Sequence, residues 1–288
     1  MTEGPRLSIV IPARDRAAPL AALLEALAAQ AAAHPGAVET VVVDDGSDPP
    51  LAVPPGVRLL RNPASRGANP ARAQGLAASA GAWVHFHDSD DGIAEGWLDA
   101  VLAALRGAPD VLVTRRVDEI GGAREPRAQA YVEAQLRRPD RARRMLDFRN
   151  CLGPFGGVVF SRRALEGVAF PPIRSSQDWA VYRQVYAKPG LRQAAAPGAR
   201  FLFRRDGADR ISRNPRARVA GMFAIMRLTA GARPFGRLLR IWHLHRFRAD
   251  ARAFGRAELG RLLDRTRRRR RLVAALAVAW QATVLRLR

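Results

Sequence analysis

Three times in its first 91 residues the chain runs a short apolar stretch straight into carboxylates, with helical sequence between one run and the next. Leu7-Ser8-Ile9-Val10-Ile11-Pro12 leads to Asp15. Glu39-Thr40-Val41-Val42-Val43 leads to Asp44 and Asp45. Ala82 to His87 leads to Asp88, Asp90 and Asp91. Compact apolar runs of this length, Pro-closed or β-branched, read as buried strands. Ala17 to Ala33 carries Leu20, Leu23, Leu24 and Leu27 at helical spacing and is stopped by His34-Pro35-Gly36. Val57 to Leu60 reads as a third short strand, Arg66 to Ala80 as a glycine-led helix containing Arg72, Glu95 to Leu105 as a helix, and Val111-Leu112-Val113 as strand again. Strand–helix alternation at this pitch predicts an α/β fold on a parallel, doubly wound sheet. Ligands of such sheets bind beyond the carboxyl ends of the strands. The carboxylates that follow the runs therefore converge on one edge, and that convergence is the physical argument for a site.

The stretch His87-Asp88-Ser89-Asp90-Asp91-Gly92 is the most concentrated of these edges. Three like charges so close together repel unless a cation sits among them. Carboxylate oxygens at alternate positions of a loop suit a hard divalent ion such as Mg²⁺ or Mn²⁺. A polar turn is the competing reading, since Asp, Ser and Gly are also turn formers. His85 and His87 alternate with Trp83 on one strand face. They read as side chains packed under a helix in preference to a metal site shared with Asp88.

After residue 115 the pattern loosens. Residues 121–150 are Arg-rich and polar, and read as a loop with a surface helix. Phe155-Gly156-Gly157-Val158-Val159-Phe160 reads as a strand whose glycine pair lets something approach the backbone closely. A short helix starts at Ser161, another spans Asp178 to Ala187, and Ala199 to Arg204 is a last strand. From Pro215 onward the chain is helical in pattern and basic.

Charge divides the chain. Residues 1–110 carry 8 Arg against 13 Asp and Glu, net −5, whereas residues 111–288 carry 40 basic against 13 acidic residues, net +27. The basic half calls for anionic partners: a membrane surface, a nucleic acid or an acidic substrate. Arg267 to Arg271 is a run of five arginines, and the mostly apolar Leu272 to Leu285 behind it is too short to span a bilayer but long enough to lie in its interface. The alternative is an ordinary packed helix with a solvated arginine flank. The single cysteine, Cys151, excludes an intramolecular disulfide and fits a reducing compartment. The N-terminus shows no leader pattern. These features predict a cytoplasmic protein, with peripheral attachment to the inner face of a plasma membrane as the place for its basic tail.

Four segments, in order, resemble the family 2 glycosyltransferases of GT-A fold: Leu7–Asp15 (LSIVIPARD), Val41–Asp48 (VVVDDGSD), Arg61–Gly81 (RNPASRGANPARAQGLAASAG) and His87–Gly92 (HDSDDG). The likeness covers roughly residues 5–215. It implies a Rossmann-like, mostly parallel sheet flanked by helices over 1–215, with 1–110 as the nucleotide-binding half and 111–215 as the acceptor half. Residues 216–288 would then be a basic helical extension. The resemblance also implies an inverting, metal-dependent enzyme using a nucleotide-sugar donor, a UDP-sugar by preference, and a carbohydrate or lipid-linked acceptor of the bacterial cell envelope. Pro12, Ala13 and Asp15 would line the nucleoside pocket, Asp44 would meet the base, and Arg72 would lie near base and phosphates, with Asp88 and Ser89 on the donor. Asp88 and Asp90 would hold the metal, Mn²⁺ or Mg²⁺, and Asp206 falls where many members have a metal-binding His. Asp178 matches the catalytic base, and Gln177 replaces the Glu that usually precedes it.

Other classes remain open at this point. Asp178 could cap a helix, because Ser-Ser-Gln-Asp before an apolar run is good capping sequence. A nucleotidyltransferase also uses metal carboxylates on an α/β sheet, but Pro12-Ala13-Arg14-Asp15 lacks the glycine-rich phosphate loop expected of one. A nucleic-acid binder would use the basic half yet leave the ordered acidic loops unexplained. An inactive, anion-binding protein of the same fold is compatible with the departures at Gln177 and Asp206.

Overall fold

The computed structural model describes residues 5–126, 139–146, 149–205 and 214–229. They divide into two units. The first runs to Pro172 and resumes at Val181 through the last strand; the second joins Ile173–Ala180 to the helix Pro215–Thr229.

The first unit is organised on one sheet. β1 (Leu7–Ala13), β2 (Val38–Asp44), β3 (Val57–Arg61) and β4 (Trp83–Phe86) lie in the order β3-β2-β1-β4, all parallel. The register sets Ala13 beside Asp44 and Asp44 beside Arg61, so the carboxyl ends of three strands form one row. The order continues through β8 (Val158–Ser161), β6 (Val111–Ile120), β9 (Gln193–Arg204) and β5 (Gly92–Ile93), with β7 (Ala123–Pro126) paired to β6. β6 and β9 are parallel, whereas β8, β5 and β7 run antiparallel to their neighbours. The expected α/β fold, a mostly parallel sheet flanked by helices, is what the chain adopts.

Side chains alternate across a strand, and β1 shows the consequence. Leu7, Ile9 and Ile11 point to one face, where they join Leu20, Leu23, Leu24 and Leu27 of α1 (Ala17–Ala31) and Trp97, Leu98, Val101, Leu102 and Leu105 of α3 (Trp97–Leu105). Val10 points the other way, onto α2 (Ala68–Ala78). A Cβ on Gly75 of α2 would stand 2.3 Å from Val10 Cγ1, so glycine lets this helix lie directly on the sheet.

The second half differs from its sequence reading in four places, one being that its last strand, β9, begins at Gln193 and not at Ala199. β6 runs on past Val113 to Ile120, through Arg115 and Arg116, with a register shift against β9 at Thr114/Arg115. Residues 123–126 are a strand, not loop, and the helix in this region, α4, covers Pro139–Leu146. Phe155–Gly157 is a turn of 3₁₀ helix, and strand begins only at Val158. The glycine pair does mark a close approach: Cβ atoms on Gly156 and Gly157 would lie 2.9 and 3.1 Å from the Phe201 ring. The short helix α5 (Arg162–Leu165) is capped by the Ser161 hydroxyl, which accepts from the Ala164 N–H.

In the second unit, α6 (Gln177–Val185) begins, and α7 (Pro215–Thr229) opens the basic region as a helix. No described helix is long and apolar enough to cross a membrane. Arg267–Arg271 and Leu272–Leu285 lie outside the described residues.

Candidate functional site

Asp44 ends β2 and Asp45 follows it, and each is tied into its own loop. Asp44 is 0 % exposed; its oxygens accept the N–H of Ser47 at 2.9 Å and of Leu51 at 3.1 Å, and Arg61 pairs with it at 3.4 Å. Burial pushes the Asp44 carboxyl up, but the Ser47 hydroxyl and N–H, the Leu51 N–H and the Arg61 charge outweigh it and hold its pKa below the usual value. The residue expected to meet the base thus spends its carboxylate on shaping the Ser47–Leu51 turn.

Asp45 does the same for the approach to α2. It accepts from the Asn62 amide at 2.9 Å, the Ser65 hydroxyl at 2.7 Å, the Arg66 N–H at 2.9 Å and the Gly67 N–H at 2.8 Å. Burial opposes the charge here too, and these four donors outweigh it, so the pKa is lowered. Gly46 follows with φ +77°, and a Cβ there would stand 2.7 Å from the Ser65 nitrogen, so the two loops touch backbone to backbone.

Of the three residues expected at the nucleoside pocket, Pro12 and Ala13 are buried in β1 and Asp15 is exposed. Asp15 sits at φ +52°, its N–H donates to the Ser47 hydroxyl at 3.0 Å, and its carboxylate accepts the Asp48 N–H at 3.1 Å and pairs with Arg14 at 3.2 Å. The loops after β1 and β2 are therefore joined at this edge.

Arg72 is buried in α2. Its Nη1 donates to Asn69 Oδ1 at 3.1 Å, its Nη2 to Asp88, and its guanidinium stands 4.4 Å from the centre of the Phe155 ring. A buried cation so held by a carboxylate and an aromatic face is fixed in place. Asp88 is the first carboxylate of the acidic loop and stays part-exposed at 31 %; Ser89 is buried and Asp90 half-buried. Asp91 turns inward, its carboxylate accepting the Arg204 N–H at 3.2 Å. The structure thus brings together Asp15, Asp44, Arg72, Asp88 and Asp90 at the carboxyl edge of one sheet. Among the described residues no group of three or more His, Cys, Asp or Glu is arranged as a metal cluster.

His85 and His87 are packed as the packing reading requires. His85 Nδ1 donates to the Val158 carbonyl at 3.0 Å, which leaves its Nε2 to accept from His87 Nδ1 at 3.0 Å, and its ring lies 4.8 Å from Trp97. Burial pushes the two pKa values down to about 3 and about 4. Cys151 is likewise buried, and burial raises its thiol to about 11.

Asp178 is the second residue of α6, half-buried, with its Oδ1 accepting the Trp179 N–H at 2.7 Å. The Ala180 N–H is taken by the Ser176 carbonyl at 3.1 Å, which places the helix boundary at Ser176 and not at Asp178. Asp206 lies outside the described residues.

Sequence reasoning missed the supports of this edge. Asn62, Ser65 and Gly67 look like ordinary turn residues, and their convergence on Asp45 has no local signature. Arg162 was read only as part of a short helix. Its guanidinium donates to the carbonyls of Leu76 at 3.2 Å, Ser79 at 2.9 Å and Gly81 at 2.9 Å, closing the C-terminus of α2.

The sequence pattern of Glycosyl transferase family 2 matches residues 8–168. A relative described as an uncharacterized glycosyltransferase of Haemophilus influenzae is 32 % identical over 109 residues; the match covers 36 % of this chain and 36 % of that protein. Among solved structures, S. aureus TarS (residues 1–349) in complex with UDP-GlcNAc superposes with a TM-score of 0.61 at 19 % identity, over 88 % of this chain and 74 % of that one. The mannosyltransferase PcManGT of Pyrobaculum calidifontis, in complex with GDP-Man and Mn²⁺, gives 0.56 at 18 % identity, over 99 % and 81 %. At these identities the two structures speak to the fold.

Proposed function

Since the chain belongs to glycosyl transferase family 2, we propose that it moves a sugar from a nucleotide-diphosphate sugar to an acceptor hydroxyl, with inversion and with a divalent metal. The observation that carries the reading is the buried Arg72 fixed at the part-exposed Asp88, on the same strand edge as the joined Asp15 and Ser47 loops. A cation and carboxylates on one strand edge match the needs of a diphosphate and its counter-ion.

Asp88 and Asp90 supply hard oxygen donors two residues apart, and this donor set fits Mn²⁺ or Mg²⁺, with Asp206 as the third expected ligand. Bound there, the ion would neutralise charge that develops on the departing diphosphate. Arg72 adds its own charge toward a phosphate oxygen. Asp15, Ser47 and Ser89 frame the nucleoside side, with Pro12 and Ala13 as its buried floor and Asp44 as the residue that fixes the loop around the base. Asp178 takes the proton of the acceptor hydroxyl as that oxygen attacks the anomeric carbon. The new C–O bond forms opposite the breaking bond to phosphate, the nucleoside diphosphate leaves with the electron pair, and the anomeric centre inverts. UDP-sugars are the favoured donors. The acceptor is a carbohydrate or lipid-linked glycan of the bacterial envelope, approached from the cytoplasmic side with the basic C-terminal half against an anionic leaflet.

A thermal-shift panel of UDP, GDP, dTDP and CDP, each with and without Mn²⁺, on the wild type and Asp90→Ala tests the reading. We expect a Mn²⁺-dependent rise with one diphosphate that the variant lacks. No shift with any diphosphate, beside a salt-sensitive shift with DNA or anionic vesicles, would replace the enzyme with an anion-binding protein of the same fold.

A further inference from the structure

Glycine within a helix is destabilising relative to alanine, so one placed mid-helix calls for a reason. Gly221 sits in the middle of α7, and its backbone is not among those with positive φ. Conformation does not require it; proximity does. A Cβ at Gly221 would stand 2.2 Å from the Ser175 carbonyl oxygen, 2.9 Å from its carbon and 3.4 Å from Ser175 Cβ. The carbonyl of Ser175 fills the space where any other side chain would begin. Ile225, one turn further along the same face, is fully buried.

The segment that α7 meets here is the turn into α6, and it is under visible constraint. Ser176 holds φ +60°, a left-handed conformation that disfavours any residue but glycine. The Gln177 side chain folds back, its Nε2 donating to the Ile173 carbonyl at 2.8 Å. A glutamate at 177 would have no donor for that bond, which gives the Gln found there a local purpose. Asp178 follows immediately.

We infer that Gly221 is a positioning residue: α7 seats against Ser175 and fixes the Ser175–Asp178 turn, and through it the direction of the Asp178 carboxylate. The inference rests on the proposal that Asp178 is the general base. It gives the helix at the start of the basic region a role in turnover in addition to any in anchoring.

Two full-length variants test it from opposite sides. Gly221→Ala puts a methyl against the Ser175 carbonyl. Ser176→Val places a β-branched residue at the positive φ of the turn itself. Amide hydrogen exchange is read over 177–180 and over 68–78. Turnover and donor KM are read with the sugar donor of whichever nucleotide shifts the wild type, beside Asp178→Asn. We expect faster exchange confined to 177–180, a kcat lower by about 10- to 100-fold, and a donor KM within about twofold of wild type in both variants. If Gly221→Ala does not fold, Ile225→Val, which loosens the same face of α7, takes its place beside Ser176→Val. Unchanged exchange at 177–180 overturns the inference. So does altered exchange with wild-type kcat in a protein that Asp178→Asn inactivates. Failure of the parent reading looks different: the wild type itself neither shifts with a nucleotide nor transfers sugar, and exchange at 177–180 still decides whether Gly221 fixes the turn.

Discussion

Arg72 donates to Asp88, so the cation proposed for a phosphate and the carboxylate proposed for a metal hold each other. On the proposed reading, binding of metal and of diphosphate is an exchange of partners, with Asp88 turning to one and Arg72 to the other. A charged hydrogen bond of this kind contributes about 1.5–3 kcal/mol. Arg72→Gln should therefore weaken nucleoside diphosphate binding by roughly 10- to 100-fold. Mn²⁺ binding without nucleotide, followed by the ion's paramagnetic signal, should hold or tighten. A parallel loss of both affinities would reduce Arg72 to a structural role.

Asp45 predicts a stability change that nothing at the sugar side would cause. Asp45→Ala removes the acceptor for four donors, of which the Asn62 amide is buried and the other three are part-buried and within reach of water; a buried donor left unpaired costs about 1–3 kcal/mol, so a loss of roughly 3 kcal/mol in urea unfolding is expected at pH 7. The wild-type pKa is lowered in the folded state, so this contribution is complete above the unfolded value near 4 and fades as pH falls through the folded one. The gap between variant and wild type should accordingly narrow below about pH 4. A gap that stays constant down to pH 2 would mean the four donors are not reading the charge.

The buried histidines work at a higher pH. Their folded pKa values of about 3 and about 4 lie below the unfolded value near 6.5, so the fold keeps them neutral while the unfolded chain takes up protons. Stability should fall as pH drops below about 6.5, by up to about 2 kcal/mol per histidine at pH 5. The double variant His85→Leu, His87→Leu should flatten the melting temperature between pH 7 and pH 5. An equally steep decline in the variant would place the acid sensitivity elsewhere.

The basic tail makes a separable prediction. Residues 111–288 carry net +27 from 40 basic and 13 acidic side chains, and Arg267–Arg271 stands beside an apolar stretch. Removing residues 265–288 should release the protein from vesicles containing anionic lipid while leaving the nucleotide-dependent thermal shift in place. Undiminished vesicle sedimentation after the truncation would rule out the tail as anchor.

How legible each part was follows from where its stabilisation lies. β1, β2 and β4 are buried on both faces, so their apolar runs announce them. β5 is two residues long and has no run to read. β6 continues through Arg115 and Arg116: Arg116 pairs with Asp118 on its own strand at 2.5 Å and lies 3.7 Å over the Phe203 ring, the latter contact made possible only by β9 arriving from far along the chain. β9 begins in Gln193-Ala194-Ala195-Ala196, which has little strand propensity and is held by its register against β6. At the site the same division holds. Carboxylates at strand ends were visible, whereas the partners of Asp45, the closure of α2 by Arg162 and the contact of Gly221 with Ser175 are meetings of residues with no shared local pattern.

Arg162 also bears on how the protein is made. The edge of β4 is covered by β8, and the last carbonyls of α2 are closed by the arginine that follows β8, so the first four strands depend on residues 158–162 far along the chain. A ribosome delivers the chain in the opposite order, with β4 emerging long before its neighbour. A nascent chain paused between residues 90 and 155 presents a bare strand edge and an open helix end to the other chains on its polysome, where unpaired edges recruit one another.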